Sequence, residues 1–462
     1  MRPYPALAAA VATAAASLAA AIPAAAATWT APATVSAPHT FISGLEAASS
    51  GNGTVVADWR FQDGVGNGAT TGARGAALAP GAAAFGAERA LPGATTQVVP
   101  YAQRSVAALL QTNLDPAGRR VRLSVAFGSA EGPSLGTARS VAVDDVAFVP
   151  RLAVGSDGTG LLAWIARASG ARRVVKVSLR APGGRFGAPS IISGTGRANT
   201  ITAAVGPQGQ RVVAFERGGR LLARYRTANG NWGPIQDLGG VASGTDNELA
   251  ALITSGGRAM IADVHRQLSE GGDTGPLLVD AWVRPVGATR FGAAQRLEQA
   301  DGVAASAPAL VQGDGRGAVL AWVGGDPGAP PTPNGASTRV RVSVTGADGR
   351  FGAAQPLSPA AQPVTGLGAA GNGSATVVSW VRIAPGSDVS GQVLAALRPV
   401  GGAFGAPEAA SPDEHAASTA PGFTRTPDNR PLVLWTARPG GEGPGVPVAS
   451  IKTFVRTAQR QP

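Results

Sequence analysis

Hydrophobic positions along this chain come in short runs separated by tight-turn residues, and beyond the N-terminus none keeps the period of an amphipathic helix. Some runs alternate. Arg339-Val340-Arg341-Val342-Ser343-Val344 and Val174-Val175-Lys176-Val177-Ser178-Leu179 present one apolar and one polar face, the signature of a half-buried strand. Others are continuous and end in an aromatic: Thr54 to Trp59, Gly160 to Trp164, Gln210 to Phe215, Ala318 to Trp322, Ala375 to Trp380 and Pro431 to Trp435. Before several of them stand Gly313-Asp314-Gly315, Pro207-Gln208-Gly209 or Gly371-Asn372-Gly373, residues that tolerate the positive φ of hairpin turns.

These runs recur. A second phrase, an aromatic followed by Gly and Ala or Pro, appears at Phe85, Phe186, Trp232, Phe291, Phe351 and Phe404, with weaker copies at Trp29 and Leu135. Degenerate copies of the first phrase end at Leu110 and Val264. From Trp59 to Trp435 the mean spacing is about 54 residues, a repeat period. Each repeat is expected to hold four strands, a to d, with strand a before the tight turn (Ala307 to Gln312, Ile201 to Val205), strand b ending at the aromatic, strand c alternating, and strand d carrying the aromatic-Gly phrase.

A four-stranded unit repeated with Gly and aromatic punctuation resembles a β-propeller blade. That resemblance implies an all-β ring of eight blades, with seven as the alternative count. The chain ends are complementary: Trp29 to Ser36 is a strand-d phrase without a blade, and Val448 to Arg456 is a strand c without a strand d. The N-terminal strand is therefore expected to complete the C-terminal blade and close the ring. Seven of the eight Trp occupy the two repeat positions, Trp282 alone lying elsewhere, and they are expected to wedge neighbouring blades rather than to stack on sugars.

Arg2, the Ala-rich run from Ala6 to Ile22 and Ala25-Ala26-Ala27 have the order of an export signal, so residues 1–27 are expected to be cleaved and 28–462 to form one secreted domain with no membrane span. Absence of Cys removes disulfides and thiol chemistry, and His39, His265 and His415 fall in different repeats, so no metal and no cofactor is expected. The formal charge of +11 comes almost entirely from arginine spread through all repeats, which suits a solvated surface meeting acidic polymers better than a nucleic-acid track.

In a four-stranded blade the a–b and c–d turns share one face, while b–c loops and d–a crossovers share the other. The b–c stretches vary in length: Phe61 to Gly75, Arg266 to Gly275, Gly324 to Thr338, Ile383 to Gly391 and Arg438 to Gly445. Acidic crossovers open on that face at Asp144-Asp145, Asp246-Asn247-Glu248 and Asp413-Glu414-His415. The candidate ligand residues are Asp246, Glu248, Asp413, Glu414 and His415, near the central channel or among the loops. No catalytic residue is assigned, because no nucleophile elbow or phosphate loop is present. The chain is distantly similar to sialidase-like and integrin-type propellers, although Gly155-Ser156-Asp157-Gly158 before Trp164 departs from the sialidase Asp-box spacing and Asp314 alone does not make a calcium loop. The expectation is a monomeric, non-catalytic propeller binding a glycan, a cell-envelope polymer or an extracellular protein. A secreted glycosidase or lyase working through loop carboxylates is the alternative.

Overall fold

The computed structural model describes residues 29–461 except 50–53, 66–67, 80, 92–94, 102–104, 115–119, 129–135, 146, 169–171, 241–247, 269–273, 301–307, 326–337, 360–362, 384–390, 413, 424–429 and 439–452. The expected leader 1–27, Asp246 and Asp413 lie outside the described residues.

Turn chemistry and alternation produce eight four-stranded antiparallel sheets. Blades I to VII span 41–91, 95–145, 147–191, 198–240, 248–300, 309–356 and 364–409. Blade VIII takes three strands from 415–459 and its outer one from the N-terminus, where Ala33–Thr34 pairs with Phe454–Gln459. Neighbouring innermost strands touch all the way round, including the first and last, so the molecule is a closed eight-bladed β-propeller. At the seam Trp29 bridges Arg460, the Thr30 N–H donates to the Gln459 carbonyl at 2.8 Å and the Val35 N–H to the Val455 carbonyl at 2.8 Å. Strand c of this blade runs Phe454–Gln459, later than the sequence suggests; residues 448–452 are outside the described set.

The core consists of clusters between neighbouring blades. Trp59, Trp164, Trp322, Trp380 and Trp435 are completely buried in strand b, and each packs against the preceding blade. Each such burial contributes on the order of 1.5–3 kcal/mol, so these rings fasten sheet to sheet and have no surface to offer a sugar.

Three of them form a repeated latch. The indole N–H of Trp164 donates to Asp144 at 3.0 Å, that of Trp435 donates to Glu414 at 2.6 Å, and that of Trp322 to Glu298. The carboxylate comes from the outer strand of the preceding blade, or from just beyond it for Glu414. Directly across from each Trp on strand c stands a cation, Lys176, Arg341 or Arg456. These grip the same carboxylates at 2.8, 3.0 and 2.9 Å. Burial pushes the Glu298 carboxyl up, while the Trp322 N–H and Arg341 pull it back.

Blade V departs from the repeat. Counting from the five-residue a–b turn closed by Gly155 and Thr159 in blade III and by Thr254 and Arg258 in blade V, the counterpart of Trp164 is Asp263. The apolar run ends one residue later at Val264, which faces blade VI instead. Asp263 is fully buried, 3.0 Å from His265, and burial raises its pKa. Trp282 on strand c fills the junction with blade IV and donates to the Leu238 carbonyl at 3.1 Å.

Candidate functional site

Connections between strands b and c range from Gly218-Gly219 in blade IV to 439–453 in blade VIII, whereas a–b turns such as 155–159, 206–210, 254–258 and 313–317 are uniform. The variable stretch of blade I is shorter than the sequence implies. Strand pairing continues to Asp63 opposite Thr70, because Phe61 to Gly75 is mostly hairpin arm and the connection is only 64–69.

Of the sequence-predicted residues, Glu248 opens the innermost strand of blade V, Glu248–Ile253. Two charges that sequence reasoning did not single out join it. Burial lowers the pKa of Arg151, on the innermost strand of blade III, and the nearby carboxylates of Glu248 and Glu46, the latter on the innermost strand of blade I, oppose that shift. Glu46 and Glu248 belong to blades I and V, each two blades away from blade III in the ring of eight. Its strand is bent by a β-bulge between Phe148 and Arg151, where Val149 has φ of 46°. Bulges re-aim side chains, and a second one precedes Glu46, at Gly44 with φ of 58°. An arginine in the apolar run Phe148-Val149-Pro150-Arg151-Leu152 was the available sequence signal.

Behind Glu46 lies Asp58, its direct cross-strand partner. Burial raises its pKa well above the ordinary carboxylate range, Glu46 adds to the rise and Arg60 opposes it. The buried Oδ1 has no hydrogen-bond partner. Folded Asp58 thus holds its proton to higher pH than unfolded Asp58, and the associated stability is present at low pH and lost as pH rises through the raised value. Asp58→Asn is expected to flatten the fall in unfolding free energy as pH rises above the ordinary carboxylate range. Urea titrations of both chains across that rise measure it; parallel pH profiles would remove the assignment.

Of the other candidates, Glu414 and the backbone of His415 lie within the described residues. Glu414 is held by Trp435 and Arg456 in the last latch, and its backbone bridges Gly391. His415 begins the innermost strand of blade VIII, paired with Arg438. Asp144 is likewise held by Trp164 and Lys176.

No known family model matches the chain, and no curated protein matches it. Solved structures similar to it are propellers at low identity. An ulvan lyase bound to -[GlcA(1-4)Rha3S]- is 10% identical over 76% of this chain and 89% of its own, with a TM-score of 0.46. The NanB sialidase from Streptococcus pneumoniae is 9% identical over 92% of this chain and 68% of its own, with a TM-score of 0.39. A leech intramolecular trans-sialidase is 8% identical over 94% of this chain and 93% of its own, with a TM-score of 0.35.

Proposed function

We propose that this is an exported, monomeric binding propeller that recognises a glycan, a cell-envelope polymer or an extracellular protein through the face of the b–c loops and d–a crossovers. A glycan is the preferred ligand. The observation that carries the reading is the placement of Glu46, Arg151 and Glu248 on the innermost strands of blades I, III and V. A guanidinium and carboxylates on the same ring of innermost strands offer donors and acceptors, which suits the paired hydroxyls of a sugar. Asp246, Asp413 and His415 would extend the contact along the neighbouring crossovers. Latches that consume Asp144, Glu298 and Glu414 support a scaffold role for those carboxylates instead of acid–base work.

A glycan array probed with the parent chain, Arg151→Ala and Glu248→Gln tests this. Binding that falls at least about tenfold in both variants, with unchanged melting temperature, is the expected result. Parental binding by both variants would refute the channel set. Glu46 and Asp58 favour a second reading, because a carboxyl whose pKa is raised beside another carboxylate is the arrangement a glycosidase or lyase uses. Turnover in a panel of glycoside substrates, abolished by Glu46→Gln, would establish it.

A further inference from the structure

The tight turns on the face opposite the b–c loops differ in charge from blade to blade. In blade IV they are 206–210 and 227–231 and in blade VII 371–375 and 399–403, and neither pair contains a charged residue. In blades V and VI each of the four turns carries one arginine: Arg258 in 254–258, Arg290 in 285–290, Arg316 in 313–317 and Arg350 in 346–350. All eight turns lie within the described residues. Arginine is spread through every repeat of the sequence, yet on this face the fold gathers four of them between two blades whose turns are uncharged.

The four turns are tied into one platform. The Ser255 N–H donates to Gln312 Oε1 at 2.7 Å and the Ser255 hydroxyl to the Gly315 carbonyl at 2.8 Å, joining the two a–b turns. At the outer rim Gln295 of blade V donates Nε2–H to the Phe351 carbonyl of blade VI and accepts the Phe351 N–H at 3.0 Å. The arginines themselves cross between the blades. Arg316 lays its stem on Gly256 of blade V, where a Cβ would come within 2.8 Å of its Cγ and Cδ. The Arg258 guanidinium lies on Gly349 of blade VI, in the turn that carries Arg350, and a Cβ there would overlap it.

Arg290, Arg316 and Arg350 are exposed and Arg258 is half-buried, and none of the four makes a side-chain ion pair among the described residues. Two acids share their turns. Asp314 is committed to blade VII, where Arg398 holds it at 2.9 Å and the Gly401 N–H donates to it at 2.8 Å. Asp348 is exposed and accepts the Arg350 backbone N–H at 3.0 Å within its own turn. Four guanidinium groups are thus set against one carboxylate that no cation holds. A cleft of about 200 Å³ opens between the outer turns, walled by Pro285, Gln295, Asp348 and Arg350. That is less than the roughly 300–1,000 Å³ of sites that enclose a small molecule, so it suits one anionic group of a chain lying across the surface.

A carboxylate offers two oxygens in one plane, enough for one guanidinium fork. Tetrahedral phosphate and sulfate groups present oxygens in several directions and can accept from guanidinium groups that arrive from separate turns. Like charges fixed on a tied platform repel one another, and a polyanion relieves the repulsion without having to order the protein first. We propose that the turn face of blades V and VI binds a polymer bearing phosphate or sulfate groups, gripped by Arg258, Arg316 and Arg350 with Arg290 at the rim. The site lies opposite the loop face and does not depend on the channel reading.

Affinity electrophoresis through gels containing dextran sulfate, polyphosphate, polygalacturonate or dextran, the polyanions at equal charge concentration, tests the proposal. The chains are the parent, Arg316→Glu, Arg350→Glu and Arg167→Glu, the last at the end of strand Gly160–Arg167 on the loop side. Retardation by dextran sulfate, polyphosphate or both is expected, at least about tenfold stronger than by polygalacturonate, absent with dextran and weakening as salt rises. Whichever gel retards identifies the group as sulfate or phosphate. Arg316→Glu and Arg350→Glu, on exposed turns, should each weaken binding at least about tenfold with unchanged melting temperature. Arg167→Glu makes the same change in net charge on the other side and should bind as the parent does. Equal retardation by polygalacturonate or dextran, no retardation by either oxyanion polymer, parental affinity in both turn variants, or an equal loss in Arg167→Glu would each overturn the site.

Discussion

A chain lacking residues 29–36 is expected to melt on the order of 10 °C or more below the parent and to self-associate. The missing segment carries the seam: besides the two backbone bonds already described, the Val455 N–H donates to Ser36 Oγ at 2.8 Å and the Gln459 N–H to Thr30 Oγ1 at 3.0 Å. The Trp29 indole N–H donates at 3.0 Å to Glu408, which Arg460 also grips at 2.8 Å. At about 0.5–1.5 kcal/mol net for each hydrogen bond, the segment is worth on the order of 5 kcal/mol, a large share of the usual 5–15 kcal/mol. Its removal also bares the edge of strand Phe454–Gln459 as a template for a second chain. Scanning calorimetry and gel filtration check both effects. A shortened chain that stays monomeric and melts within a degree or two of the parent would mean that the ring does not depend on its seam.

Cutting the last latch should cost nearly as much. Glu414→Ala strands the Arg456 guanidinium and the Trp435 N–H in a junction where Trp435 is fully buried, and should destabilise by about 3 kcal/mol. Glu414→Gln keeps an acceptor for the indole and gives up only the charge, so about 1 kcal/mol is expected. Urea denaturation of the three chains measures the difference. Because Glu414 was also a ligand candidate, the same variants separate its roles: parental stability with lost glycan binding would make it a ligand group and not a latch.

The ring was legible because its signals are local. Gly-rich turns, alternating runs such as Arg339 to Val344 and aromatic strand ends each declare a strand within a few residues. The complementary ends were legible for the same reason, since Trp29 to Ser36 repeats a phrase found in every blade. In blade V the apolar run itself misleads: it continues to Val264, whereas the turn geometry puts Asp263 in the tryptophan's place. The latches leave only a faint trace, an acid 20, 24 or 21 residues before its Trp. The channel set leaves none in spacing, because Glu46, Arg151 and Glu248 are assembled only by closure of the ring.

The seam also sets the order of events in making the molecule. Thr30 and Gln459 meet across 429 residues of chain, so the earliest strand to be synthesised has no permanent neighbour until the last has been made. A prematurely terminated polypeptide can stack its early blades yet must leave both boundaries open. The completed circle therefore distinguishes finished chains from fragments, and a quality-control protease that attacks loose strand edges would spare only the former.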